Sequence, residues 1–213
     1  MMYLAPMDQT ASPVVPGSKR GGQRLALSLP NLLTYGRIAA VPALVICLYV
    51  LEGQHRHWIA FAVFAAASLT DWLDGYLARA WGQQSTIGRM LDPIADKLLV
   101  GAALLMLVYD RTITGPAIFA AAIILCREIL VSGLREFLAE LNVKIRVSRL
   151  AKWKTAVQMI ALGALLVGPA AERMLPGIIS AGIALLWVAA LLTLWTGYGY
   201  LRAAVGRAVG EGS

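Results

Sequence analysis

The chain has 213 residues, 59% of them hydrophobic and only 15% charged, with a mean hydropathy of +0.68 and a formal net charge of +7. This composition excludes a disordered chain and a water-soluble globular domain, and two cysteines without C-x-x-C spacing exclude a disulfide scaffold. Several apolar stretches reach the ~20 residues that a membrane-spanning helix needs, which points to an all-α integral membrane protein.

Residues 1–23 lack the apolar core of a signal peptide and read as a flexible cytoplasmic tail carrying Lys19 and Arg20. From Arg24, the run RLALSLPNLLT predicts a short N-terminal interfacial helix broken by Pro30. Six transmembrane helices are then predicted at 34–52, 58–80, 88–109, 115–139, 150–169 and 178–203. They make one membrane catalytic domain over 24–205, followed by a cytoplasmic C-terminal tail at 206–213. Cys47 and Cys126 fall inside spans, where packing accounts for them. His55 and His57, in EGQHRH, are expected in a solvated external joint, and Pro93 near the start of the third span.

Basic residues set the orientation. Lys19, Arg20 and Arg24 precede the first span, Arg79 and Arg89 flank the joint between spans two and three, and Lys144, Arg146, Arg149, Lys152 and Lys154 crowd the joint between four and five. The opposite joints hold Arg56, Arg111 and Arg173, so the positive-inside rule places both termini in the cytoplasm. The net charge is therefore a topology signal, and nucleic acid is not an expected partner. Trp58, Trp81 and Trp153 lie near span ends, as interfacial anchors do.

The chemistry is concentrated in SLTDWLDGYLARAWGQQSTIGRMLDPIADKLL, where four aspartates fall within predicted spans. An ionised carboxylate inside a membrane costs a few kcal/mol and normally has a partner. At ~100° per residue, Asp71, Asp74, Gly75 and Ala78 share one helix face, and Gly88, Asp92 and Asp96 share a face of the next. The joint between those helices is short, so the four carboxylates should converge on one cytoplasm-facing cavity. Oxygen ligation without His or Cys favours hard cations, Mg²⁺ or Mn²⁺, and such ions are commonly completed by substrate phosphates. Arg79 suits an anionic diphosphate substrate. A cation transporter also places carboxylates in spans, but leaves Arg79 unexplained.

These residues match, in order and spacing, the pattern D-x-x-D-G-x-x-A-R, eight residues, G-x-x-x-D-x-x-x-D, and so the chain resembles the CDP-alcohol phosphotransferase family. The resemblance implies a six-helix membrane fold, usually a homodimer, that moves a phosphatidyl-type group from a CDP-linked donor to an alcohol and releases CMP. By position it implies that Asp71, Asp74, Asp92 and Asp96 bind one or two divalent ions, with Asp96 also the catalytic base. Gly75, Ala78, Arg79 and Gly88 would shape the nucleotide pocket beside Asp71. PNLLTYGR resembles the family's first-helix stretch, which makes Asn31, Thr34 and Arg37 candidates for cytidine or phosphate contacts.

Beyond the motif, CREILVSGLREFLAE and KWKTAVQM resemble the bacterial branch of the family that uses CDP-diacylglycerol as donor and sn-glycerol 3-phosphate as acceptor. The segments match at Arg127, Glu128, Ser132, Arg135, Glu136, Lys152, Lys154, Thr155 and Gln158. Independently of the resemblance, Arg127 and Arg135 lie ~80° apart around one helix, and Lys152 and Lys154 open the next on the same side. An acceptor carrying its own phosphate needs such cations, so Arg127, Arg135, Lys152 and Lys154 are the expected acceptor-phosphate residues; snorkelling to lipid headgroups is the other use of lysine at a span end. The implied setting is the bacterial inner membrane, among membrane lipids, with the active site facing the cytoplasm.

Overall fold

A computed structural model describes residues 29–81, 86–140 and 149–210, with the side chains of 29–31, 72–81, 86–89, 140, 149, 151, 203–204 and 207–210 excepted. Among the described residues all regular structure is helical. Helix α1 spans Leu29–Val50, α2 His55–Trp81, α3 Thr86–Tyr109, α4 Ala117–Glu140, α5 Arg149–Ala171 and α6 Ile178–Gly210. Each predicted span overlies one helix, and α6 stays helical through the expected start of the C-terminal tail. The expected N-terminal tail and most of the interfacial helix lie outside the described residues.

At 22 to 33 residues the helices are ~33 to 50 Å long, enough to cross a ~30 Å hydrocarbon core. Four are apolar enough as well, over Leu32–Val50, Ala117–Ala139, Lys152–Ala171 and Ile178–Arg202, so the chain builds a multi-pass membrane bundle. Helices α2 and α3 have the length but carry the aspartates, which lower their hydropathy.

Two groups of helices form the bundle. Helix α1 packs on α2 and α3, helix α6 packs on α4 and α5, and α5 joins the groups by lying against α2. The shared core runs through Leu44, Phe64, Leu99, Leu107, Ile124, Leu162, Leu165 and Leu186. Large apolar side chains such as Leu105, Phe119, Ile129, Leu191 and Trp195 point outward instead, as a lipid-facing surface requires. Helices α5 and α6 approach closely because glycine permits it: a Cβ at Gly182 would lie 2.9 Å from two carbons of Leu165.

The joints α1–α2, α3–α4 and α5–α6 meet at one end, which is more ordered than a solvated loop. His57 is buried in the first turn of α2, correcting the sequence expectation, with Nε2 3.6 Å from an Asp110 carboxylate oxygen. Asp110 also accepts from Arg56 and from Thr112 Oγ1, at 3.1 Å from the latter. These partners make it economical to bury a histidine that sequence alone places in water. Arg111 adopts φ 60° as α3 ends, and Ile113 N–H returns to the Leu107 carbonyl at 3.0 Å, a left-handed helix stop. Glu172 accepts from the backbone N–H groups of Gly177 and Ile179, at 2.8 and 3.2 Å, and caps α6. Pro93 is the eighth residue of α3, past the first turn where its missing N–H would cost nothing.

The α5–α6 contact yields a stability test. Gly182→Val must push Leu165 aside or separate the helices, an overpacking cost of about 1–3 kcal/mol. A thermal melt in detergent should show a clearly lowered Tm; an unchanged Tm would contradict this packing.

Candidate active site

Helix α1 carries one charged residue, Arg37, and it lies at the centre of the acidic cluster. Its side chain is fully buried, and Nη1 lies 2.9 Å from Asp71 on α2 and 3.9 and 3.3 Å from Asp92 and Asp96 on α3. Three helices thus meet through one guanidinium. Since all three carboxylate oxygens lie within 3.9 Å of one nitrogen, no two are more than about 8 Å apart. Thr34, one turn before Arg37 and also buried, donates its hydroxyl to Asp92 at 2.6 Å. The convergence expected of Asp71, Asp92 and Asp96 is therefore observed.

Depth explains the meeting. Arg37 lies eight residues inside the start of α1, Asp96 ten inside the start of α3, and Asp71 ten before the end of α2. At 1.5 Å per residue these are depths of ~12 to 15 Å from the same end of the bundle. The aspartate side chains are 45%, 44% and 49% exposed over a guanidinium that is 0% exposed. Arg37 is buried beneath the carboxylates, which form a half-exposed rim above it.

The donor set is entirely carboxylate oxygen, which fits a hard divalent cation. Among the described residues, which do not include the Asp74 side chain, no trio of His, Cys, Asp or Glu side chains closes into a metal-holding group, and Asp71, Asp92 and Asp96 lie against Arg37. Asp74, Gly75, Ala78, Arg79, Gly88 and Asn31 lie on helices, but their side chains are outside the described set.

The expected acceptor residues fall into a second cluster, on α4, α5 and α6. Lys154 is buried and donates to Glu128. Arg127 Nη1 lies 3.6 Å from the same carboxylate, while Nε donates to the Thr193 carbonyl at 2.9 Å and Nη2 to Thr196 Oγ1 at 2.8 Å. Each of its nitrogens thus has a protein partner, and the side chain ties α4 to α6. Arg135 is exposed, with its guanidinium carbon 5.7 Å from the centre of the Tyr200 ring. Lys152 is exposed at the start of α5.

Sequence reasoning missed several partners. Arg37 was expected to touch the nucleotide, and its role as shared counter-charge was readable only as the lone cation of the first span. Glu128 stood out by resemblance without a role, and Thr193, Thr196 and Tyr200 carried no signal because polar residues near a span end are ordinary.

Comparison with known proteins is consistent with this geometry. Residues 27–195 match the CDP-alcohol phosphatidyltransferase family. A protein of Rickettsia bellii called CDP-diacylglycerol–glycerol-3-phosphate 3-phosphatidyltransferase is 44% identical over 176 residues, covering 83% of this chain and 94% of its own length. The Haemophilus influenzae protein of that name is 44% identical over 187 residues, covering 85% and 96%. An Arabidopsis thaliana relative, bearing the same name with the suffix 2, is 42% identical over 189 residues, covering 83% and 79%. With this match running through both clusters, the chain belongs to the CDP-alcohol phosphatidyltransferase family.

Proposed function

We propose that this protein transfers the phosphatidyl group of CDP-diacylglycerol to sn-glycerol 3-phosphate, giving phosphatidylglycerophosphate and CMP. The observation that carries the reading is the carboxylate rim over buried Arg37, set beside a basic cluster on the other helix group. Relatives matched along most of their length bear the name of this reaction. A cation pathway is disfavoured by the same geometry, since Arg37 puts a fixed positive charge where a permeating cation would bind.

In this reading Asp96 accepts the proton of the acceptor's hydroxyl as that oxygen attacks the phosphorus bearing the diacylglycerol. The bond to the bridging diphosphate oxygen breaks, and CMP leaves with that oxygen. Asp71, Asp74, Asp92 and Asp96 would hold Mg²⁺ or Mn²⁺, which when bound supplies positive charge to the diphosphate and the leaving CMP. Thr34 steadies Asp92, and Arg37 holds the aspartates together while the substrate is absent. Asn31, Gly75, Ala78, Arg79 and Gly88 form the nucleotide side of the pocket. Arg135, Lys152 and Lys154 bind the acceptor's phosphate, with Arg127 adding charge from behind. Catalysis is then mostly positioning and charge stabilisation, as in other phosphoryl transfers.

All six helices span the bacterial inner membrane in this account, with the polar faces of α2 and α3 turned inward to the site. The short interfacial helix precedes them, and the cavity opens to the cytoplasm, where the basic joints lie. The protein acts as a homodimer, as the family resemblance implies.

Vesicles provide the test, because glycerol 3-phosphate does not cross a sealed bilayer. Inside-out vesicles supplied with CDP-diacylglycerol, glycerol 3-phosphate and Mg²⁺ should form phosphatidylglycerophosphate by mass spectrometry, right-side-out vesicles should not, and EDTA should abolish the product. Product from right-side-out vesicles alone, or full turnover after verified metal removal, would contradict the reading. Arg135→Ala or Lys154→Ala should each lower kcat/KM for glycerol 3-phosphate roughly ten- to a hundredfold, the worth of a charge-assisted hydrogen bond, with CDP-diacylglycerol binding nearly unchanged. Equal loss on the donor side would move these residues out of the acceptor site.

A further inference from the structure

Four cations described within the bundle have matched surroundings: Arg37 meets three carboxylates, Arg127 and Lys154 share Glu128, and Arg135 lies on the Tyr200 ring. Lys97 differs. Half-buried on α3, it donates to Ser132 Oγ on α4; among the described residues no carboxylate lies within ion-pair distance of it, and the one charge partner it has is the more distant Asp96 carboxylate. A hydroxyl brings no negative charge, and an ammonium has three donors, so one bond to Ser132 leaves most of its capacity unused. A cation inside a membrane protein normally sits against an anion or a water-filled cavity.

Its location sets it between the two clusters. Lys97 follows Asp96 directly, and ~100° of helix rotation turns it from the carboxylate rim toward α4, where a Cβ on Gly101, one turn on, would meet Leu125 at 3.3 Å. Ser132 lies four residues after Glu128 and three before Arg135, on the α4 face that carries the basic cluster. Lys97 therefore occupies the α3–α4 seam, where the carboxylate cluster of one helix group borders the cations of the other. Any reaction joining a ligand in one to a ligand in the other brings a phosphate past this ammonium.

We propose that Lys97 Nζ, anchored by Ser132 Oγ, binds an anionic phosphate oxygen of the substrates at this seam. The inference rests on the phosphatidyl transfer argued above. The oxygen belongs either to the acceptor's own phosphate or to the phosphoryl group in transfer; both present the same chemistry to an ammonium.

The test uses the full chain purified in detergent, comparing Lys97→Gln, Lys97→Arg and Ser132→Ala with wild type. Lys97→Gln should lose roughly ten- to a hundredfold in kcat/KM at an unchanged Tm, Lys97→Arg should recover part of it, and Ser132→Ala should lose less in the same parameter. A raised KM for glycerol 3-phosphate, with loss of the Tm shift that this compound causes in wild type, assigns the acceptor's phosphate. A lowered kcat with both KM values kept assigns the transferred group. Wild-type kinetics in Lys97→Gln overturns the proposal, as does a loss that Arg does not relieve and that follows a fall in Tm. Should Lys97→Gln not accumulate, wild-type kinetics in Ser132→Ala would overturn the anchored geometry. If wild type forms no phosphatidylglycerophosphate, the parent reading fails, yet a phosphate-induced Tm shift lost in Lys97→Gln still upholds the anion contact; no shift in wild type removes both.

Discussion

The site depends on one buried charge. A guanidinium removed from water costs several kcal/mol unless its surroundings replace hydration, and Arg37 recovers that cost only where Asp71, Asp92 and Asp96 converge on it. The carboxylates have the reciprocal problem, since like charges so close repel unless a cation lies between them. Each side is tolerable only with the other, so α1, α2 and α3 are held at one relative depth. With the three carboxylates ionised, one guanidinium leaves the cluster with a net negative charge. The arrangement holds the aspartates together without filling their demand for positive charge.

The opposite end of the bundle is fastened differently. His57 precedes Asp71 by fourteen residues and Asp110 follows Asp96 by fourteen, so the Arg56–Asp110–His57 contacts lie ~21 Å along the same two helices. There the charges are paired, Thr112 satisfies Asp110 further, and Glu172 caps α6. This end is consistent with a structural clamp, while the carboxylate end keeps half-exposed acidic oxygens. Contacts along the α3–α4 seam are sparse compared with those of α1 on α2 or α5 on α6. Lys97 stands within this seam.

Hydropathy and spacing were sufficient for much of this. The apolar runs placed each of the described helices, because long apolar segments away from water have few alternatives to a helix. The i, i+4 spacing of Asp92 and Asp96 put both on one face, but the expectation that α2 and α3 are direct neighbours fails among the described residues: each packs instead on α1, whose Arg37 bridges their carboxylates. Partnerships across the bundle were not legible, because they depend on which helices adjoin. Arg37 against Asp71, Arg127 against Thr193 and Thr196, and Lys97 against Ser132 link positions 34 to 69 residues apart. His57 shows the converse error: its sequence neighbourhood is polar, but Asp110 and Arg56 make burial possible.

The most direct measurement is an anomalous-scattering experiment on crystals grown with Mn²⁺ and a CDP-linked lipid. The account predicts manganese peaks bounded by the carboxylates of Asp71, Asp92 and Asp96, with the diphosphate on their open side and Arg37 beneath. Manganese or diphosphate bound elsewhere, with the three carboxylates still turned onto Arg37, would contradict it.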